Sequence, residues 1–239
     1  MNAKINPTGT LYGVGVGPGD PELLTLKALR IIQSVEIIAY PAPLTGDSFA
    51  RSIVTTHLRE SQTEIAIRMP LESNKFPARD VYDHAAALIS EKLNSGNNVA
   101  TLCEGDPFFY GSFMYLYERL AEKHTVDIIP GVSSPMACAA ALGSPLAARN
   151  DVLSILPAPL DEQILIKRLL DCDSAAIVKI GRHIKKVMRV IHELELINFA
   201  SYIERATLPN AKILPLTATP EPAPYFSMIL IHKREKAWK

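Results

Sequence analysis

Strand-length apolar runs alternate with helix-length amphipathic runs along the whole chain, which predicts an α/β protein with largely parallel strand pairing. Leu11–Val16 reads as the first strand. Asp20 is placed to cap a helix that begins at Pro21, has Glu22 in its first turn and buries Leu23, Leu26, Leu29 and Ile32. Val35–Tyr40 reads as a strand closed by Pro41 and Pro43, followed by a short helix over Ser48–Leu58 and a strand over Glu64–Met69. A longer amphipathic helix runs from Ala78 to Asn94 and ends at Gly96. Val99–Cys103 is the next strand, then a helix from about Ser112 to Lys123 and a strand over Thr125–Ile129.

From Pro130 the texture changes. The segment PGVSSPMACAAALGSPLAARND is rich in small residues, and reads as a turn followed by a helix able to pack very closely on its neighbours. Beyond it, Val152–Leu156, Ala175–Ile180, Ala200–Ile203, Ile213–Leu216 and Phe226–Ile231 read as strands, the later ones too close together for helices between them. The expectation is therefore a parallel α/β domain over residues 1–125 and a mixed-sheet α/β domain over 126–239, with the ligand site in the cleft between them. The prolines from Pro209 to Pro224 mark an irregular connection, and no internal repeat is visible.

Composition narrows the function classes. The 239 residues are 48% hydrophobic and carry 25 basic and 25 acidic side chains, so no broad electrostatic footprint for nucleic acid or an anionic membrane is expected. No apolar run reaches the roughly 18 residues of a membrane span and no leader pattern opens the chain, so the expected setting is the cytoplasm. Cys103, Cys138 and Cys172 lie far apart and form no CxxC, and read as small core residues. The histidines at 57, 84, 124, 183, 192 and 232 show no ligand spacing, so no metal site is expected.

Three segments carry candidate chemistry. GVGVGPGD, from Gly13 to Asp20, has the density of a phosphate cradle but not its register. A dinucleotide fingerprint started at Gly13 meets Pro18 at its third glycine, and started at Gly15 it meets Asp20. Asp20 also stands about where a Walker loop needs its lysine. The segment reads either as a tight strand-to-helix turn or as a loop whose backbone something approaches closely. CEGDPFFYGS, from Cys103 to Ser112, lies at the C-terminal end of a strand, where open α/β sheets bind ligands. Its Asp106 can accept a hydrogen bond while Phe108, Phe109 and Tyr110 offer flat apolar surface; the alternative is a turn followed by core aromatics. IPGVSSPMACAAALGSPL, from Ile129 to Leu146, opens with Ser133 and Ser134 as candidate helix caps. There is no GxSxG elbow, and Cys103 has no histidine partner in the pattern.

Taken in order, GVGVGPGDPELLTLKA, Tyr40-Pro41, EGDPFFYGSF, IPGVSSPMACAAALGSPL, KIGR and PYFSMILI resemble the tetrapyrrole methylase family over nearly the whole chain. The resemblance implies two α/β domains with S-adenosylmethionine (SAM) folded into the cleft between them, a tetrapyrrole substrate and a homodimer. It also implies a fold distinct from Rossmann-like methyltransferases, consistent with the failed fingerprint. Matched motif by motif, Pro18, Gly105, Asp106, Phe109, Ser133 and Ser134, with Ile180 and Ala206, stand where relatives line SAM. Relatives often carry threonine and alanine at the Ser133-Ser134 pair and glycine in place of Ala206. Within the family, pairing EGDPFFYGSF with PYFSMILI is most similar to the enzymes that methylate carbon 20 of precorrin-2 or of its cobalt complex. The alternatives are methylation at carbon 11 or 17, a uroporphyrinogen III enzyme, or a non-catalytic small-molecule-binding protein.

Such a reaction asks the protein mainly to hold a reactive methyl group in line with a ring carbon at about 3 to 3.5 Å, away from water. Glu104, Tyr110, Asp106 and Asp20 are candidates by motif position for accepting a proton, and no catalytic residue is assigned among them. Asp20 and Tyr110, with Arg149, Arg182 and Arg205 as carboxylate anchors, are the candidate substrate contacts; solvated surface arginines are the plain alternative.

Overall fold

The structure, a computed structural model, describes residues 8–69 and 79–234. It divides into two compact units, Met1–Ser133 and Ser134–Lys239.

The first unit holds β1 (Leu11–Gly15), α1 (Leu26–Ser34), β2 (Ile37–Pro43), α2 (Phe49–Val54), β3 (Thr63–Met69), α3 (Arg79–Asn94), β4 (Val99–Cys103), α4 (Phe113–Leu120) and β5 (Val126–Ile129). Its five strands run in the order β3-β2-β4-β1-β5, every neighbouring pair parallel. Both faces are covered. Cys103 and Val99 pack with Tyr82, Ile89, Phe113 and Leu116 of α3 and α4, whereas Ala100 and Leu102 pack with Ile31, Ile32, Ile53 and Val54 on the side of α1 and α2. Burial on two faces is why β4 reads as an unbroken apolar run with no polar alternation.

Two expectations are corrected in this unit. Asp20 does cap a helical turn, its Oδ1 accepting from Glu22 N–H at 2.9 Å, but that turn is a 3-10 segment over Pro21–Leu23. Leu24 is extended and Thr25 then caps α1 afresh, its hydroxyl accepting from Ala28 N–H at 3.1 Å. The restart turns the buried stripe to Ala28, Ile31 and Ile32 and leaves Leu26 86% exposed. Second, β2 continues through Pro41 and Pro43. Ile37 N–H points toward β4, so by alternation the two proline nitrogens face the same side, where pairing with β4 has already ended at Ala39↔Thr101. β5 pairs with β1, within the compact unit that runs to Ser133. The expected helix start at Ala78 lies outside the described residues.

The second unit holds α5 (Ser134–Leu142), β6 (Leu153–Pro157), α6 (Glu162–Leu170), β7 (Ser174–Val178), α7 (Ile184–Glu193), β8 (Ala200–Glu204), β9 (Lys212–Leu214) and β10 (Ser227–His232). The sheet order is β6-β7-β10-β8-β9, with β6 parallel to β7 and the other three pairs antiparallel, the mixed sheet expected. Helices α6 and α7 fall where the pattern reading names only strands, and α7 buries Ile184, Val187, Val190 and Ile191 on one face. On the opposite face Cys138 of α5 packs with Ala176, Ile203 and Met228, the close seating its small residues allow. All three cysteines are buried and unbridged.

Candidate functional site

In the first unit the loops leaving β1, β4 and β5 are knitted together by main chain. Val16 N–H donates to the Cys103 carbonyl at 2.9 Å. Gly17 and Gly105 exchange a pair of bonds, 3.2 Å from Gly17 N–H and 2.7 Å from Gly105 N–H. Asp106 supplies the side-chain tie: its Oδ1 accepts from Phe108 N–H at 2.9 Å and its Oδ2 from Gly131 N–H at 3.1 Å. One carboxylate thus shapes its own turn and joins the β4 loop to the β5 loop.

The glycines are required by this junction. A Cβ on Gly131 would stand 2.1 Å from the Gly105 carbonyl oxygen, and one on Gly15 would stand 2.6 Å from that same atom. A Cβ on Gly13 would strike the Phe113 ring at 2.4 Å. What approaches the backbone at Gly13 and Gly15 is therefore the protein itself, while Gly17, at φ +78°, shapes the loop around half-buried Pro18.

Of the residues singled out in this unit, Pro18, Gly105, Asp106 and Ser133 come together at the junction. Ser133 is buried, and Gly105 faces the Ser133 Cα, which would lie 3.8 Å from an added Cβ. Phe109 is half-buried against Tyr110, ring centroids 5.1 Å apart and edge-on; Tyr110 is exposed and left-handed, at φ +55°. Glu104 is half-buried, and burial raises its carboxyl above the ordinary range while the Ala50 N–H partly offsets this. Burial pushes the Cys103 thiol up to about 11, which suits a core residue and not a nucleophile. Beside β2 and α2 lies a groove of about 460 Å³ lined by Tyr40, Arg51, Glu64 and Arg68 among others. Both arginines are engaged: Arg51 grips Glu64 at 2.5 and 2.7 Å, and Arg68 donates to the Pro43 carbonyl at 2.8 Å.

In the second unit β7 and β8 both run antiparallel to β10, so their C-terminal ends share one sheet edge. Ile180, Arg182, Arg205 and Ala206 gather there. Ile180 is fully buried, its side chain packed into the core. Arg182 is exposed, and Ala206 is half-buried. Arg205 N–H donates to the Phe226 carbonyl at 2.7 Å, and its guanidinium pairs with Glu204 at 3.3 Å. Ser134, the first residue of α5, is exposed, as is left-handed Arg149. The turn carrying Arg149 closes on Asp151, whose buried carboxylate accepts from Ala148 N–H at 2.8 Å and pairs with Arg234. Sequence reasoning missed Gly131, Tyr202 and Glu204. Only the spacing of the last two, on one face of a strand, was legible. Among the described residues no group of three or more His, Cys, Asp or Glu side chains could hold a metal ion, and no helix is long and apolar enough to cross a membrane.

A family model for Tetrapyrrole (Corrin/Porphyrin) Methylases matches residues 10–220. The chain belongs to the tetrapyrrole methylases. It is 40% identical over 232 residues to the cobalamin biosynthesis protein CobIJ of Mycobacterium tuberculosis, covering 93% of this chain and 46% of that protein. This methylase chain therefore spans about half the length of the CobIJ relatives it matches. It is also 37% identical to the precorrin-2 C(20)-methyltransferase of a Sinorhizobium species, covering 93% of this chain and 95% of the relative. Among solved structures, the cobalt precorrin-4 methyltransferase CbiF superposes with a TM-score of 0.72 at 21% identity, covering 93% of this chain and 94% of that one, which shows the shared fold.

Proposed function

We propose that this tetrapyrrole methylase is a SAM-dependent C-methyltransferase acting at carbon 20 of precorrin-2 or of its cobalt complex, on the route to cobalamin. The observation that carries the reading is the match to the Sinorhizobium protein of that name, over 93% of this chain and 95% of that protein. Matches to the cobalt-precorrin-2 enzyme of Salmonella typhimurium, at 30% identity, support the same carbon and leave the metal state of the ring as a question of substrate.

The local structure fits a methyl donor. In the first unit, left-handed glycines at 17 and 105 turn main chain around Pro18, and the Asp106 carboxylate fixes the loops beside Gly105 and Ser133. In the second, the strand ends at Ile180 and Ala206 would border the donor, Ala206 through a small, half-buried side chain that leaves room for a flat ring. A bound sulfonium supplies an already activated methyl group, so the protein's part is to orient both reactants and exclude water. Asp20, Tyr110, Arg149, Arg182 and Arg205 are assigned to the substrate side, the arginines toward the carboxylates on its rim. The reading includes a homodimer and a cytoplasmic location; exposed Phe108 and Tyr117, packed edge-on with centroids 5.2 Å apart, offer an apolar surface for a second subunit.

The test is anaerobic incubation with methyl-labelled SAM and precorrin-2, with and without cobalt. A product one methyl heavier and labelled at carbon 20 is expected. Label at another carbon, or methylation of uroporphyrinogen III alone, would assign a different ring methylase, and binding without turnover would favour a non-catalytic protein.

A further inference from the structure

Besides Asp151, the second unit buries a carboxylate that the proposed function does not use directly. Glu204, the last residue of β8, is 2% exposed. Its Oε1 accepts from the Tyr202 hydroxyl at 2.8 Å, and its Oε2 faces the Arg205 guanidinium at 3.3 Å. A buried carboxylate is costly unless it is paired and hydrogen-bonded, and an apolar side chain of similar volume would fill the same core position. Tyr202 is itself fully buried among Ile177, Ile229 and Ile231, so its hydroxyl is brought to the carboxylate by core packing.

The network sits at the base of an unusual turn. Arg205 has φ +48° and Thr207 φ +73°, two left-handed residues without a glycine, flanking Ala206. Such a backbone costs of order 1 kcal/mol per residue and persists where surrounding contacts over-determine it. The contacts doing so are Arg205 N–H to Phe226 O at 2.7 Å, Leu208 N–H to Arg205 O at 3.0 Å, and the Arg205 guanidinium on Glu204. The strand thus ends in a main-chain clamp at Phe226 and a side-chain clamp at Glu204.

We infer that Tyr202 and Glu204 are positioning residues, a buried hydroxyl–carboxylate pair that holds Arg205 and thereby presents the Ala206 main chain to the methyl donor. The inference rests on the reading that Ala206 borders that donor. Glu204 touches no ligand; it acts through Arg205. Tyr202 orients the carboxylate, leaving its outer oxygen to the guanidinium.

The conservative variants Glu204→Gln and Tyr202→Phe keep the volume and remove the charge or the hydroxyl. Binding of S-adenosylhomocysteine by calorimetry and steady-state kinetics are measured on both, with thermal stability alongside. Glu204→Gln is expected to weaken S-adenosylhomocysteine binding about tenfold and to raise the KM for SAM by a similar factor, the size of losing one charge-assisted hydrogen bond. Because the Arg205 guanidinium is also assigned to the substrate carboxylates, the KM for the tetrapyrrole should rise as well, whereas kcat should change less than about twofold. Tyr202→Phe, which preserves the packed ring, should move the same quantities in the same direction by less. A purely structural role would lower the melting temperature and leave the affinity of the folded protein unchanged, and that result overturns the inference. Should the unmutated protein fail to bind S-adenosylhomocysteine, the proposed function fails instead. Equal loss of kcat with both KM values unchanged would also overturn the positioning role, since it would place Glu204 in the chemical step.

Discussion

The two units solve one problem, how to turn the chain sharply at the end of a strand or helix, with different materials. In the first, left-handed backbone falls on Gly17, Gly19, Gly46, Gly96 and Gly105, with Tyr110 the exception among the described residues. In the second it falls on Arg149, Lys179, Glu195, Arg205 and Thr207, with glycine used at 143 and 181. The contrast is clearest at two helix ends. After α3, Gly96 takes φ +87° and the next N–H, on Asn97, closes back to the Lys92 carbonyl at 3.1 Å. After α7, Glu195 takes φ +56° and Leu196 N–H closes back to the Ile191 carbonyl at 2.9 Å, the same closure built on a residue that pays for its Cβ. Glycine permits a turn at little strain, whereas a side-chain residue must be forced into it by tertiary contacts, so the second unit's turns depend more on what surrounds them.

The sharpest break of that comparison is Gly131→Ala. Its added Cβ would stand 2.1 Å from a main-chain oxygen in a junction with no flexible side chain to give way, so a loss above about 3 kcal/mol, or no folded protein, is expected. Gly143→Ala in the second unit meets nothing within 4 Å and should cost only about 1 kcal/mol, from its φ of +62°. Chemical denaturation of both variants checks the pair; similar losses would mean that the close approach at Gly131 relaxes freely.

Next in size is Asp106→Ala, which leaves the N–H groups of Gly131 and Phe108 without their acceptor. A loss of roughly 1–3 kcal/mol is expected, together with weaker S-adenosylhomocysteine binding, measured by denaturation and calorimetry on the same preparations. Unchanged affinity would remove Asp106 from the site.

Glu104 gives a pH signature. Burial raises its folded-state pKa above the unfolded value, so the folded state holds its proton more tightly, and its contribution to stability grows as pH falls through the raised folded value toward the ordinary carboxylate one. The stability of the unmutated protein relative to Glu104→Gln should therefore improve as pH is lowered across that window. A difference that stays flat with pH would show an ordinary solvated carboxyl.

The smallest effect is the cleanest. Glu195→Gly should stabilise by about 1 kcal/mol or less, and Gly96→Ala should destabilise by a similar amount, read as opposite shifts in melting temperature. The same sign for both would mean that the two helix ends are not equivalent closures.

Much of this was legible in the chain. The unbroken apolar runs of β4 and β7 reflect burial on both faces, and the glycine density of Gly13–Asp20 marked a place of close backbone approach. The order of the GVGVGPGDPELLTLKA, EGDPFFYGSF, IPGVSSPMACAAALGSPL, KIGR and PYFSMILI segments carried the family. Local rules misled where a neighbour overruled them. Thr25 offered a second cap that turned α1 away from the expected stripe, and Pro41 stayed within β2 because its nitrogen faced an unpaired edge. The left-handed residues of the second unit had no signal, since nothing in Arg205-Ala206-Thr207 announces positive φ.

The sequence by itself determined the alternation of strands and helices, a parallel sheet followed by a mixed one, and where the chemistry-bearing loops fall, because periodicity and glycine spacing act over a few residues. Only the tertiary structure decided what those loops do. Gly13 and Gly15 give room to Phe113, Gly105 and Gly131, Asp106 ties two strand ends together, and Glu204 is buried beneath a turn that it helps to hold. Those are contacts between residues distant in sequence or forced by packing, and the opening glycine loop took its meaning from the two loops folded against it.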